Sequence, residues 1–294
     1  MKKKLLITGA SGFLGWHLLR LAAPEWELYG ISHNAEIDFS DVTQIKCDLT
    51  NYIELGNYIE DIGPDAIIHT AAIADANFCQ NNKELSHSMN VDAAINLAGI
   101  CSDYQIPFAF TSTDLVFDGK KGMYVEEDEK NPVSTYGEQK AVAEDEVLNI
   151  YPEALVLRLP IMFGHLSAGT NNSLRNLTAQ LKKGDMLTLF TDEYRSIGSA
   201  KNIASGILQL FEKTNGILHL AGNERLSRYN FGIQVASAFS LPAYNIKAVT
   251  QNDVKMSAPR PKDVSLNISK ALYLGYVTAP VNSELHLIAE NNYL

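Results

Sequence analysis

Three cysteines in 294 residues are too few and too scattered for a disulfide frame. Cys47, Cys79 and Cys101 are odd in number and form no close pair. They read as small apolar side chains of a reduced, cytoplasmic protein, with no metal site among them. Long apolar runs are also missing: no stretch approaches the ~20 residues of a membrane span. The opening "MKKKLLITGASGFLG" is basic, but its apolar run ends after about four residues in a glycine-rich turn, too short for a signal peptide. Positive charge is scarce. Lys and Arg number 24 against 34 Asp and Glu, a formal net charge of −10. Such a surface disfavours nucleic acid and anionic lipid. An anionic ligand would need a local device instead: a helix N-terminus, a nest of amides or a few placed arginines. No repeat or low-complexity segment breaks the chain.

What is present is short apolar runs alternating with helical periodicity. "KLLITG", "WELYGIS", "QIKCDL", "DAIIHTAA", "IPFAFTST" and "ALVLRLP" read as strands. Between them Gly12–Ala23, Tyr52–Ile62, Leu85–Tyr104 and Thr135–Ile150 read as helices. Near-continuous apolar strands alternating with helices predict a parallel sheet covered on both faces, a doubly wound Rossmann-type α/β fold. After "LRLP" the pattern loosens, with helices expected at Ser173–Lys183, Ala200–Lys213 and Arg228–Phe239 and one more strand, "GILHLAG". Residues 1–160 are thus expected to form a dinucleotide-binding domain, rejoined by about 198–222. Residues 161–294 are expected to be mainly a smaller substrate-binding region. The charged "EEDEKNP", Glu126–Pro132, reads as a solvated loop.

"ITGASGFLG" is strand, turn and helix, with Gly9, Gly12 and Gly15 three apart. Glycines here permit a tight turn, close ligand approach and close helix–sheet packing, and the helix N-terminus faces a pyrophosphate. Ser11, Phe13 and Leu14 lie in the same turn. The T-G-x-x-G-x-x-G spacing resembles the short-chain dehydrogenase/reductase superfamily, and "GFLG" resembles its extended, sugar-nucleotide branch. That resemblance implies a nicotinamide cofactor. An acid after the second strand would hold the adenosine ribose and repel a 2′-phosphate. Ser32, His33 and Asn34 stand there instead, which favours NADP(H) and leaves NAD(H) open. Asp48 and Leu49 resemble the pair that edges the adenine, although Asp48 could equally cap the helix at Tyr52. Ala71 and Ala72 in "HTAAIAD" match the small-residue strand end along which the cofactor passes.

"STYGEQKAVAED" puts Tyr136 and Lys140 four apart, on one face of a predicted helix. A phenol is a poor acid or base at neutral pH unless a nearby cation favours its anion. Lys140 could do this and also hold the nicotinamide ribose. In "AFTSTDLVFDG", Thr113 aligns with the superfamily's catalytic Ser/Thr, whose hydroxyl bonds the reacting oxygen. The resemblance thus implies a triad of Thr113, Tyr136 and Lys140.

The 4,6-dehydratases carry "STDEVYG", and Leu115 here stands where their Glu would be. A leucine cannot move a proton, so elimination is disfavoured. "STDLVFDG", "NPVSTYGEQKAVAE", "LVLRLPIMFG" and "APRPKDVSLNISKAL" resemble the dTDP-4-dehydrorhamnose reductase family over roughly Lys4–Gly275. The resemblance implies NADPH-dependent reduction of the C4 ketone of a nucleotide-activated deoxysugar. Leu115 in place of the usual aromatic and "DEYRSIGSAKN" depart from that family's pattern. On the substrate side Arg195 and Arg260 are the candidates for a diphosphate. Arg158 could join them or be structural. Asp75 and Asp114 could meet the sugar or serve as strand-end and turn residues. Asn171 and Asn172 could contact substrate or cap a helix. Met162 reads as pocket wall. Two other readings stay open, with a homodimer compatible with any of them. One is an NAD-dependent epimerase of the same superfamily. The other is a non-catalytic subunit resembling the regulatory one of methionine adenosyltransferase.

Overall fold

Seven strands carry the core: Lys3–Thr8 (β1), Trp26–Ser32 (β2), Val42–Lys46 (β3), Ala66–His69 (β4), Phe108–Thr113 (β5), Leu155–Leu159 (β6) and Gly216–His219 (β7). The structure is a computed structural model, and it describes residues 2–165 and 173–291. All neighbouring strands run parallel, in the order β7-β6-β5-β4-β1-β2-β3. The longer helices are Phe13–Ala22 (α1), Tyr52–Ile62 (α2), Ala93–Tyr104 (α3), Thr135–Ile150 (α4), Ser173–Lys183 (α5), Ala200–Leu210 (α6), Arg228–Ala238 (α7) and Val281–Glu290 (α8).

Strand residues alternate faces, and both faces here are apolar. Leu5 and Ile7 join Leu14, Leu18, Ile203 and Ile207, so α1 and α6 cover one face. Leu6 and Ile67 join Leu55, Leu97, Ala143 and Val147, so α2, α3 and α4 cover the other. Each such fully buried Leu or Ile contributes about 1.5–3 kcal/mol relative to exposure. This is the doubly wound sheet that the alternation predicts. A third cluster, with Leu174, Leu177, Phe231, Val235, Leu285 and Ile288, packs α5, α7 and α8 together in the second half of the chain.

Two sequence expectations need correction. The helix expected from Leu85 begins at Lys83 and passes through a π-turn, Ser88–Asp92. In that turn lies Asn90, buried, whose side chain bonds both the N–H and the C=O of Ile73 and the Oε1 of Gln139. The irregular turn thus ties the segment after β4 to α4. The "EEDEKNP" stretch is not simply solvated. Glu126 is buried, its Oε1 accepts from the His219 N–H at 3.0 Å, and its carbonyl accepts from Arg158. Charge content alone does not reveal that a buried arginine waits beneath the loop.

The strand order reverses between β1 and β4. At such a switch point the loops diverge and leave a crevice beyond the carboxyl ends of the strands, where this class of sheet binds ligands.

Candidate active site

At the switch point β1 ends in the glycine turn. Gly9 has φ +68°, and a Cβ there would lie 2.6 Å from the Ala71 nitrogen. A Cβ on Gly15 would collide with the Gly9 carbonyl oxygen. The Gly12 N–H donates to that carbonyl at 2.9 Å. Gly12 is the N-cap of α1, with no side-chain cap and no acid in the first turn. The first-turn amides are therefore left for an external partner, and the helix dipole makes an anion favourable there. Ser11 is half-buried in the same turn.

Ser32, the last residue of β2, is buried and its hydroxyl donates to the Ala35 carbonyl, while His33 and Asn34 beyond it are exposed. Asp48 does not cap α2. Its Oδ1 accepts from the backbone N–H and the hydroxyl of Thr50, and Asn51 caps the helix by accepting from the Glu54 N–H. Leu49 beside it is buried.

Ser134 is the N-cap of α4, and its Oγ accepts from the Gly137 N–H at 3.3 Å. Gly137 packs its backbone directly against the Leu115 carbonyl, so no side chain separates α4 from the end of β5. Tyr136, Lys140 and Glu144 recur every four residues and are 7%, 1% and 0% exposed, so all three face inward. The Tyr136 ring lies among Ala76, Cys79 and Ala258. The Lys140 Nζ sits 3.9 Å over the Phe110 ring.

Burial pushes the Lys140 amine down to about 7, with Glu144 opposing. The Tyr136 phenol is pushed up by burial and by Asp114 and Cys79, with the Thr113 hydroxyl opposing. Desolvation thus outweighs the tuning expected of Lys140. The phenol is protonated at neutral pH. Because the folded Lys140 pKa lies below its unfolded value of 10.5, the unfolded chain binds the extra proton between about pH 7 and 10.5. Stability should rise with pH through that window, and the burial cost is fully felt below it. Lys140→Met should therefore raise the melting temperature by a few degrees at pH 7 and flatten its rise from pH 7 to 9, read by thermal melts.

Beneath these residues lies a buried ionic network. Ser112 donates to Glu144 Oε1 at 2.5 Å. Arg158 contacts both oxygens of Glu144, with Nη2 to Oε2 at 2.9 Å, and its ring neighbours are Phe117 and His219. Arg158 is therefore structural, the second of its two readings. Glu144 escaped the sequence reading, although it continues the four-residue spacing of Tyr136 and Lys140. His69 also escaped it. It is buried in the small-residue motif, with Nδ1 2.6 Å from the Thr8 Oγ1.

One cleft of about 950 Å³ gathers Gly12, Phe13, Leu14, Ala72, Asp75, Thr113, Asp114, Leu115, Tyr136, Met162, Arg195 and Arg260. Ser32, His33, Asn34, Asp48 and Leu49 lie outside its lining, at the ends of β2 and β3. Asp75 caps the short helix Ala76–Asn81 by accepting from the N–H groups of Asn77 and Phe78. Met162 belongs to a two-residue strand paired with Gly198–Ser199. Arg195 is buried, with Nε 3.4 Å from Asp114 Oδ2 and Nη2 3.3 Å from Glu193. Arg228, first residue of α7, also lines the cleft, and its Nη1 is buried with no hydrogen-bond partner among the described residues. Nothing local in the sequence singles it out. Asn171 and Asn172 lie outside the described residues.

Comparison with known proteins agrees with this architecture. Residues 3–292 match the family model described as RmlD substrate binding domain. A probable low-salt glycan biosynthesis reductase, Agl14, of Haloferax volcanii is 30% identical, covering 90% of this chain and 89% of its own. The methionine adenosyltransferase 2 subunit beta of Danio rerio is 28% identical over 93% of this chain and 85% of its own. The crystal structure of a hypothetical dTDP-4-dehydrorhamnose reductase from Sulfolobus tokodaii superposes with a TM-score of 0.83 at 32% identity, covering 95% of this chain and 98% of that one. The chain thus belongs to the RmlD substrate-binding-domain family, within the extended short-chain dehydrogenase/reductase superfamily.

Proposed function

We propose that the protein is a cytoplasmic, NADP(H)-preferring reductase of the C4 ketone of a nucleotide-activated deoxysugar. The observation that carries this reading is the meeting, in one cleft, of an uncapped helix N-terminus with Thr113 and Tyr136, over a fully buried Lys140. The residues present fit a dinucleotide. The turn has no room for a Cβ at Gly9 or Gly15, and the first-turn amides from Phe13 would face a pyrophosphate. Asp48 and Leu49 would edge the adenine, Ala71 and Ala72 would allow close passage, and Lys140 would hold the nicotinamide ribose. No carboxylate stands at Ser32–Asn34, which admits a 2′-phosphate. When bound, the cofactor supplies a hydride to the ketone carbon.

Tyr136 donates its proton to the ketone oxygen. Its raised pKa keeps that proton in place at neutral pH, as a donor requires. Thr113, which lines the same cleft, would polarise the carbonyl through its hydroxyl. Of the two arginines read from sequence, Arg195 is taken up by Asp114 and Glu193, so Arg260, with Arg228, would meet the diphosphate and Asp75 the sugar, with Met162 as wall. In this reading residues 1–160, with the return at 198–222, hold the dinucleotide, and residues 161–294 mainly hold the substrate.

The test is NADPH oxidation against a panel of dTDP-, GDP- and CDP-4-keto-6-deoxysugars. Stoichiometric oxidation with at least one is expected. Substrate interconversion without net NADPH consumption would replace this reading with the epimerase one. Inertness towards the whole panel, with NADP still bound, would favour the regulatory-subunit reading that the methionine adenosyltransferase relatives suggest.

A further inference from the structure

The short helix Ala76–Asn81, which follows β4, divides its side chains between the two halves of the chain. Ala76 and Cys79 pack against the Tyr136 ring. Gln80 Oε1 accepts from the Thr135 hydroxyl at 3.0 Å and so holds the first residue of α4. Asn77 lines the cleft, and its Oδ1 accepts from the Ala258 N–H at 3.2 Å, across 181 residues of sequence.

Ala258 belongs to a stretch with little else to hold it. Between Lys255 and Arg260, its N–H is the only group among the described residues that makes a hydrogen bond. Firm anchors return at Pro261 and Lys262, whose carbonyls accept from the Gln251 side chain at 3.3 Å and from the Tyr194 N–H at 2.6 Å. Lys255, Ser257 and Pro259 are exposed, whereas Ala258 is fully buried in the cluster of Tyr136, Ala76 and Cys79. Met256 and Arg260, two residues to either side, line the cleft. Arg260 also has a reason to leave. Arg228 lines the same cleft and feels Arg260 as a like charge. Two guanidiniums repel unless an anion lies between them, and a segment with so few bonds opens readily.

We propose that Asn77 is a positioning residue for the sugar nucleotide: by accepting from Ala258 it pins the Met256–Arg260 strap across the cleft, with Arg260 near Arg228 and Ala258 seated on Tyr136. One side chain of the dinucleotide-binding half thereby sets a wall of the substrate site. The nature of the substrate rests on the reductase reading; the tether does not. Without the Asn77 oxygen, the buried Ala258 N–H has no acceptor and finds one only by turning to water. Met256 and Arg260 move with it. The loss falls on substrate binding, because the glycine turn, Thr113 and Lys140 lie on other elements.

Two arms test this. The first needs no turnover. Trypsin should cut the NADP-loaded protein after the exposed Lys255 about fivefold faster in Asn77→Ala, the factor expected of one hydrogen bond when cutting follows local opening. Cutting at other sites should keep its rate. Asn77→Asp retains the oxygen acceptor and should cut as the unaltered protein does. An unchanged rate in Asn77→Ala, an equal rise in Asn77→Asp, or a rise at every site alike would overturn the proposal. The second arm uses whichever sugar nucleotide of the panel is turned over. Asn77→Ala should raise KM about tenfold and leave kcat and NADPH affinity within about twofold. Arg260→Ala should raise KM too, and adding Asn77→Ala to it should cost little more, since both act through one placement. Additive losses, or a fall in kcat with KM unchanged, would overturn the proposal. If no panel member reacts, the reductase reading fails and the sugar-nucleotide role falls with it, while the cleavage rates still decide whether Asn77 holds the strap.

Discussion

Tyr136→Phe should lower turnover by about 10²–10⁴-fold, the range of a positioned proton donor. The substitution removes one oxygen from a ring packed among Ala76, Cys79 and Ala258, so the fold has little reason to change. NADPH affinity should stay within about twofold, because the glycine turn and Lys140 are untouched. The two readouts are single-turnover NADPH oxidation and fluorescence titration of cofactor. A variant that retains turnover would remove Tyr136 from the mechanism. A variant that loses cofactor affinity equally would make Tyr136 a binding residue instead.

The second large effect lies underneath. Glu144→Ala leaves the Arg158 guanidinium, 1% exposed, without its carboxylate and leaves Ser112 without its acceptor. Breaking one side of a buried pair costs about 3–5 kcal/mol, because the remaining charge stays desolvated. For a chain of this size the melting temperature should drop by on the order of 10 °C. Replacing both partners, as Glu144→Leu with Arg158→Met, should recover much of that loss, since two well-packed apolar chains avoid the unpaired charge. Removing the exposed Lys3–Glu212 bridge by Lys3→Ala should leave the midpoint where it is. Equal losses for Glu144→Ala and the double variant would show that packing volume, not charge pairing, is what matters there. The pair also fixes the helix that carries Tyr136, so stability and geometry are linked at this point.

Much of the cleft was legible along the chain. The glycine turn, the inward spacing of Tyr136 and Lys140, and the polar end of β5 are local patterns. Period and backbone conformation are enough to put them on a turn, a helix face and a strand end. Leu115 was legible only through the resemblance: an apolar side chain lines the cleft where the similar dehydratases carry a carboxylate. Glu126, Arg158 and His219 were not legible as a group, because they come from a loop, β6 and β7 and meet only when those strands pair. Arg228 was invisible for the same reason, as it reaches the cleft from the start of a helix that looks ordinary in sequence.

By itself the sequence determined the doubly wound fold, the parallel sheet and the shared inward face of Tyr136 and Lys140, because each depends on periodicity or on spacing within one element; Thr113 joined them only through the family resemblance. Tertiary structure alone decided the states of those groups. Desolvation, which no spacing encodes, drives Lys140 down and Tyr136 up. The division of the arginines between Glu144, Asp114 and the open cleft follows from which carboxylates the fold buries beside them. A charge is cheap in water and costly inside unless paired. Which cations remain for a ligand is therefore settled only once the chain has folded.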